Sequence, residues 1–186
     1  QRGLFKQSKF VLPLAESSLE RLGTTLPDGV IVGARGDHYF LHPETKDDPS
    51  HKQFVQKFKA KTDTYPIYSV YHMVQAITGL KAGYEQAMKT NGGKWPTTEE
   101  VADAMHTIEF KGFGRPVKMR TDGQGLEDQL LGVTKKTSKY PFPVMDQMMI
   151  IPADTSTTPV GQKSPDWVKS VKTDLLDQKI KTYSAN

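Results

Sequence analysis

The fold turns on DGVIVGARGDHYFLHP, residues 28–43. Val30, Ile31 and Val32 are consecutive β-branched residues held between Gly29 and Gly33. That composition predicts a short buried strand. The remainder, from Arg35 to Pro43, carries charge and glycine and reads as a loop leaving the strand. His38 and His42 stand four apart, a spacing at which a helix can share a metal ion. Pro43 and the glycine-flanked strand argue against a helix here, so the loop reading is preferred and no metal is assigned.

Upstream, FVLPLA (10–15) is an apolar run broken by Pro13, a strand that ends in a loop. ESSLERLGTTLP provides one or two helical turns closed by Gly23. Downstream come helices. Asp48 caps the first, with Pro49 at the position where its missing N–H costs nothing. A second begins near Pro66, with Ile67, Val70, Tyr71, Val74 and Ile77 on one stripe. Gly79 and Gly83 thin its end and suit close packing. Thr97 and Glu100 form a capping box for a third, with Gly112 as its expected C-terminal cap. RPVKMR, QLLGVTKK and VMDQMMIIP read as strands, with a turn at TDGQG. After Pro152 the chain is rich in Thr, Pro, Ser and Lys, and a terminal helix is expected through Trp167, Val168, Val171, Leu175 and Leu176. There is no internal repeat. The order favours an α/β architecture, although the strands are few for a sheet covered on both faces.

Composition narrows the function. The 186 residues are 36% apolar and 25% charged, with net charge +4. The Lys residues, densest at KKTSK (135–139), are scattered among acids rather than gathered with stacking aromatics, which argues against a nucleic-acid groove. Without cysteine there is no disulfide framework, thiolate metal site or cysteine nucleophile. No run reaches the ~18 apolar residues of a membrane span. The chain opens on QRGLFKQSKF without an initiator Met or a signal-peptide pattern, and reads as the inside of something longer or as a processed product. Ser17 and Ser18 lack a G-x-S-x-G turn, and GFGRP lacks the phosphate-loop Lys. His72 and His106 fall within helical patterns, where a lone histidine is more often structural. No nucleophile, base and orienter assemble, and no cofactor is expected.

In YPIYSVYHMVQAI (65–77), Tyr65, Tyr68 and Tyr71 recur every third residue. One reading packs the rings and leaves the hydroxyls to solvent. The other places them at a helix start, where free N–H groups and the positive dipole end can line a small-molecule cleft.

The order FVLPLA, DGVIVGARG, the tyrosine helix, LKAG and EFKGFGRPVKMRTDGQG resembles the C-terminal half of type I periplasmic solute-binding proteins, over about Phe10 to Pro152. GVTKKTSKYPFPVMDQMMIIPA is similar to the family's closing strands. These are the branched-chain amino acid, amide and aromatic-acid receptors of ABC importers. The resemblance implies an α/β fold of two Rossmann-like lobes joined by crossovers, present here in portions and incomplete without the N-terminal half. Residues 1–34 would be second lobe, 35–48 a crossover, 49–111 first lobe and 112–152 a return to the second. Residues 153–186 would be a C-terminal loop with the possible helix. The first-lobe sheet and the loops that grip a ligand carboxylate would lie outside the chain. An isolated chain would then expose apolar helix faces and sheet edges.

The resemblance also implies a site. The loop from Leu14 to Ser17 matches a second-lobe position where amino-acid receptors use an acid against the ligand ammonium, so Ala15, Glu16 and Ser17 are candidate contacts. Glu16 there suits an α-amino ligand; Leu14 or Ala15 in that register suits an aromatic or aliphatic acid. Pro66 and Tyr68 face the cleft at the helix start, and Tyr39 lies in the crossover. The function implied is capture of a small organic solute in the periplasm, by a protein free or lipid-anchored at the outer face of the cytoplasmic membrane. Its partners would be the solute, the permease of an ABC importer and the missing N-terminal segment, with no catalysis. Alternatives are a cytoplasmic small-molecule sensor of the same fold and a metal-dependent enzyme built on Asp37, His38 and His42.

Overall fold

Pro13 ends the first strand after two residues. A computed structural model describes residues 3–172 and 180–185. A short helix, α1 (Leu4–Gln7), precedes β1 (Val11–Leu12). A 3-10 turn over Ala15–Ser18, α2 (Leu19–Leu22) and a second 3-10 turn over Gly23–Thr25 then lead to β2 (Ile31–Gly33). β1 and β2 are parallel, Val11 opposite Ile31. β2 is buried as its β-branched run requires, with Val32 fully enclosed.

The middle of the chain is helical. In α3 (Pro49–Thr62), the Asp48 carboxylate accepts from Ser50 N and His51 N, and Pro49 sits in the first turn. α4 (Tyr68–Thr90) is the longest helix. α5 (Thr98–Met105) begins with the complete capping box of Thr97 and Glu100. It ends at His106, not Gly112, because Glu109–Lys111 forms β3 and pairs with β4 (Pro116–Met119). The strand ladder satisfies backbone groups that a longer helix would otherwise have used. After the Arg120–Gln124 turn, β5 (Gly125–Leu126) completes a three-stranded sheet, order β3-β4-β5.

β6 (Gln129–Lys135) and β7 (Val144–Ile151) return to the first sheet. Short helices α6 (Ala153–Ser156) and α7 (Ser164–Ser170) follow, and β8 (Thr182–Tyr183) pairs with β7. Of the expected terminal helix, α7 holds Trp167 and Val168, Val171 is already extended, and Leu175 and Leu176 lie outside the described residues. The resulting order is β1-β2-β6-β7-β8, parallel at β1–β2 and antiparallel elsewhere. The fold is therefore mixed α/β. Its main core gathers Leu19, Val32, Leu130, Phe142, Met145 and Met148 around this sheet. The segment from 112 makes β4 and β5 before the chain reaches the five-stranded sheet at Gln129.

The buried face of α4 is Tyr71, Gly79, Gly83 and Ala87. Ile77, expected on the packed stripe, is instead 62% exposed, and Met73 and Leu80 are exposed beside it. The reason is size. Gly79 and Gly83 admit the Phe110 ring and the Met105 thioether, so the glycine face becomes the inner one. A Cβ at Gly79 would stand 2.8 Å from Phe110 Cζ, whereas at Gly83 it would meet the flexible Met105 Sδ at 2.5 Å. Gly79→Ala is expected to lose about 1–2 kcal/mol, because a trapped ring outweighs the ~1 kcal/mol gain in helix propensity. Gly83→Ala should be near neutral. Urea midpoints check the ordering; equal effects would contradict this packing.

Candidate functional site

Two segments from different parts of the fold meet at the start of α4. The 3-10 turn after β1 presents Glu16, which is 4% exposed. Tyr68 N–H, an unsatisfied donor of the first helical turn, donates to Glu16 Oε2 at 3.2 Å. Beside them lies a cavity of about 380 Å³ whose wall includes Glu16, Ser17, Pro66, Ile67, Val70 and Phe142. Ser17 donates its hydroxyl to Leu14 O at 3.0 Å, which fixes the turn. Glu20 holds the other side: its carboxylate accepts from Tyr65 N at 2.9 Å and from Lys59 Nζ at 3.0 Å. Tyr65 stacks on Phe40 at 4.2 Å between centroids. That pair separates the cavity from a larger one, about 480 Å³, edged by Lys46, Lys52 and Lys139.

Burial pushes the Glu16 carboxyl up to about 8, against the opposing pull of the Tyr68 N–H. At neutral pH this group is a neutral acid. Among the described residues no ion pair reaches it. A buried carboxyl without a counter-charge is unstable as an anion and becomes favourable as one only when a cation arrives.

Of the six expected contacts, Glu16, Ser17 and Pro66 share the cavity wall. Ala15 packs against the main core. Tyr68 is half-buried and adjoins the site through its N–H, while its ring lies 5.9 Å from the Arg35 guanidinium and 5.6 Å from the His72 ring. Tyr39 is 1% exposed and its hydroxyl accepts from Met145 N at 3.0 Å, a core strut rather than a cavity residue. Tyr71 is buried too. His51 Nδ1 stands 3.1 Å from Thr45 O and so carries the proton, leaving Nε2 to accept from the Tyr71 hydroxyl at 2.8 Å.

The loop histidines are divided. His42 Nδ1 accepts from Glu44 N at 3.2 Å, so its proton lies on Nε2, which donates to Asp37 Oδ1 at 2.7 Å. Arg115 N donates to Asp37 Oδ2 at 2.7 Å. Burial pushes Asp37 up, but His42 and the Arg115 N–H outweigh it and hold the carboxyl below its ordinary range. This pair is saturated, so Asp37, His38 and His42 do not form the metal-dependent centre considered from sequence. His38 turns away and meets Glu127 and His72. Glu127 had no sequence signal: GLEDQ reads as an ordinary polar link between strands.

The chain is similar in structure to an ABC transporter substrate-binding protein from Sphaerobacter thermophilus, at 18% identity and TM-score 0.58, over 81% of this chain and 39% of that one. It is also similar to an ABC-type branched-chain amino acid transporter protein from Rhodopseudomonas palustris, at 17% identity and TM-score 0.55, over 83% and 37%. A third is a solute-binding protein from Rhodopseudomonas palustris in complex with 3,4-dihydroxybenzoic acid, at 18% identity and TM-score 0.53, over 82% and 39%. The fold is that of type I periplasmic solute-binding proteins, as the sequence resemblance implied. The chain spans 37–39% of the length of these structures. No family model matches it, and no curated protein matches it in sequence.

Proposed function

We propose that this chain is part of a non-enzymatic solute-binding protein, which captures a small organic solute between two lobes and delivers it to an ABC-type permease. The solute class is an amino acid or an aromatic or aliphatic carboxylate. The protein acts in the periplasm, free or lipid-anchored, with an N-terminal segment completing the first lobe. Its own closure is a hinge motion, stabilised by the ligand's preference for the closed state.

The observation that carries the reading is Glu16, buried in a cavity wall at the N-terminus of α4 and, among the described residues, in no ion pair, although Arg21 lines the same cavity. An α-amino group supplies the missing charge, and the cavity accommodates an apolar side chain against Ile67, Val70 and Phe142. This favours an amino acid over a plain carboxylic acid. The test is a thermal-shift panel on the protein that carries this chain, with aliphatic amino acids and aromatic carboxylates. Amino acids should raise Tm, and Glu16→Gln should remove that rise. A rise with carboxylates alone, unaffected by Glu16→Gln, would reassign the ligand class. No shift with any solute would count against binding altogether.

A further inference from the structure

Glu127, His38 and His72 come from three separate segments: the link between β5 and β6, the loop after β2, and the second turn of α4. Their donor atoms all lie within 4.8 Å of one another. Glu127 uses one oxygen for support: Oε1 accepts from Asp37 N at 3.2 Å and from Gln75 Nε2 at 2.9 Å. Its Oε2 lies 3.6 Å from His72 Nε2. That separation is close to the roughly 3.3 Å between neighbouring ligands of a tetrahedral ion with ~2.0–2.1 Å bonds.

The histidines are arranged as ligands are. The His72 Nε2 is buried without a hydrogen bond. His38 is 1% exposed, and both its ring nitrogens lack a hydrogen bond. Its Nε2 is 2.5 Å from Glu127 Oε1 but is not aimed along a hydrogen-bond axis. Stacking on Tyr71, at 5.5 Å and 9°, sets the ring plane. A buried imidazole nitrogen without a well-aimed hydrogen bond is costly, and His38 and the buried Nε2 of the half-exposed His72 both converge on the one Glu127 carboxylate, leaving room for a common partner. Gly36 makes room: a Cβ there would fall 2.8 Å from Glu127 Oε1 and 2.9 Å from His72 Nε2, inside the cluster.

We propose that His38, His72 and Glu127 bind a divalent first-row transition cation of the Zn²⁺ class. Two imidazoles and a carboxylate are a borderline donor set, which suits zinc, cobalt or nickel and disfavours magnesium or calcium. Three protein ligands leave an open position. The ion ties the loop after β2 and the link between β5 and β6 to α4. It therefore fixes the helical part against the five-stranded sheet, and it does so independently of the solute.

The test is calorimetric titration of the protein that carries this chain with Zn²⁺, beside Co²⁺ titration followed by visible absorption. One Zn²⁺ per chain is expected, and Co²⁺ should give the ligand-field band of a low-coordinate nitrogen–oxygen site. His72→Ala and Glu127→Gln should each weaken Zn²⁺ binding on the order of 100-fold. His106→Ala, at an exposed histidine elsewhere, should not. Circular dichroism checks that the variants keep the wild-type helix content; the Co²⁺ spectrum of the wild type needs no variant. Absence of stoichiometric Zn²⁺ binding, an octahedral aqua-like Co²⁺ spectrum, or affinity unchanged in both variants overturns the proposal.

Discussion

Gly114→Ala is expected to be the most damaging single-methyl change in this chain, costing about 3–5 kcal/mol. A Cβ at Gly114 would sit 2.2 Å from the Asp37 carbonyl oxygen and 3.1 Å from its Oδ2. The obstacle is backbone, so no rotamer relieves it. Asp37 has no slack either: it is 1% exposed and clasped between His42 and Arg115 N. Moving residues 114–115 breaks the Arg115 N–H bond and leaves a buried carboxylate under-satisfied. The same shift disturbs Arg115, whose guanidinium pairs with Glu44 at 2.7 Å and Asp128 at 3.1 Å. A fall in Tm of roughly 10 °C should follow. A loss below ~1 kcal/mol by urea unfolding would mean that the Asp37 junction is looser than described.

Glu16→Gln should act in the opposite direction, raising stability at pH 7 by roughly 3 kcal/mol. The folded protein holds the Glu16 proton to about pH 8, whereas the ordinary value is 4.5. A group raised in the folded state stabilises fully below its unfolded value, and that contribution is lost as pH rises through the folded value. The window therefore runs from about 4.5 to about 8. Across it the wild type loses up to ~1.4 kcal/mol per pH unit relative to the variant. Gln keeps an oxygen for the Tyr68 N–H and carries no charge to bury. Histidines titrating in the same range cancel in the difference between the two proteins. The check is urea unfolding of both at pH 5, 6, 7 and 8: the curves should diverge with rising pH. Parallel curves would show an ordinary Glu16.

Much of the fold was legible where local chemistry is self-sufficient. Asp48 with Pro49, Thr97 with Glu100, and the β-branched run 30–32 each specify an element within a few residues. What failed depended on partners distant in sequence. Gly112 looked like a cap until β4 came back to claim residues 109–111 as a strand. Ile77 fitted the apolar period of α4, yet Phe110 preferred the flat glycine face. Tyr39 looked like a crossover contact, but its ring lies in the core under Met145 N. Glu16 and Pro66, read through a family resemblance, do meet around one cavity. The His38–His72–Glu127 cluster was invisible because its members are separated by 34 and 55 residues and share no spacing rule.

The proposed binding role rests on a ligand charge replacing the Glu16 proton, and that exchange is directly measurable. Isothermal titration of an aliphatic amino acid at pH 6 and pH 7, each in two buffers of different ionisation enthalpy, reports both affinity and protons released. The account predicts close to one proton released at pH 6 and about tenfold tighter binding at pH 7. Both effects should disappear in Glu16→Gln. Amino-acid binding with no proton release and no change in affinity between the two pH values would contradict it.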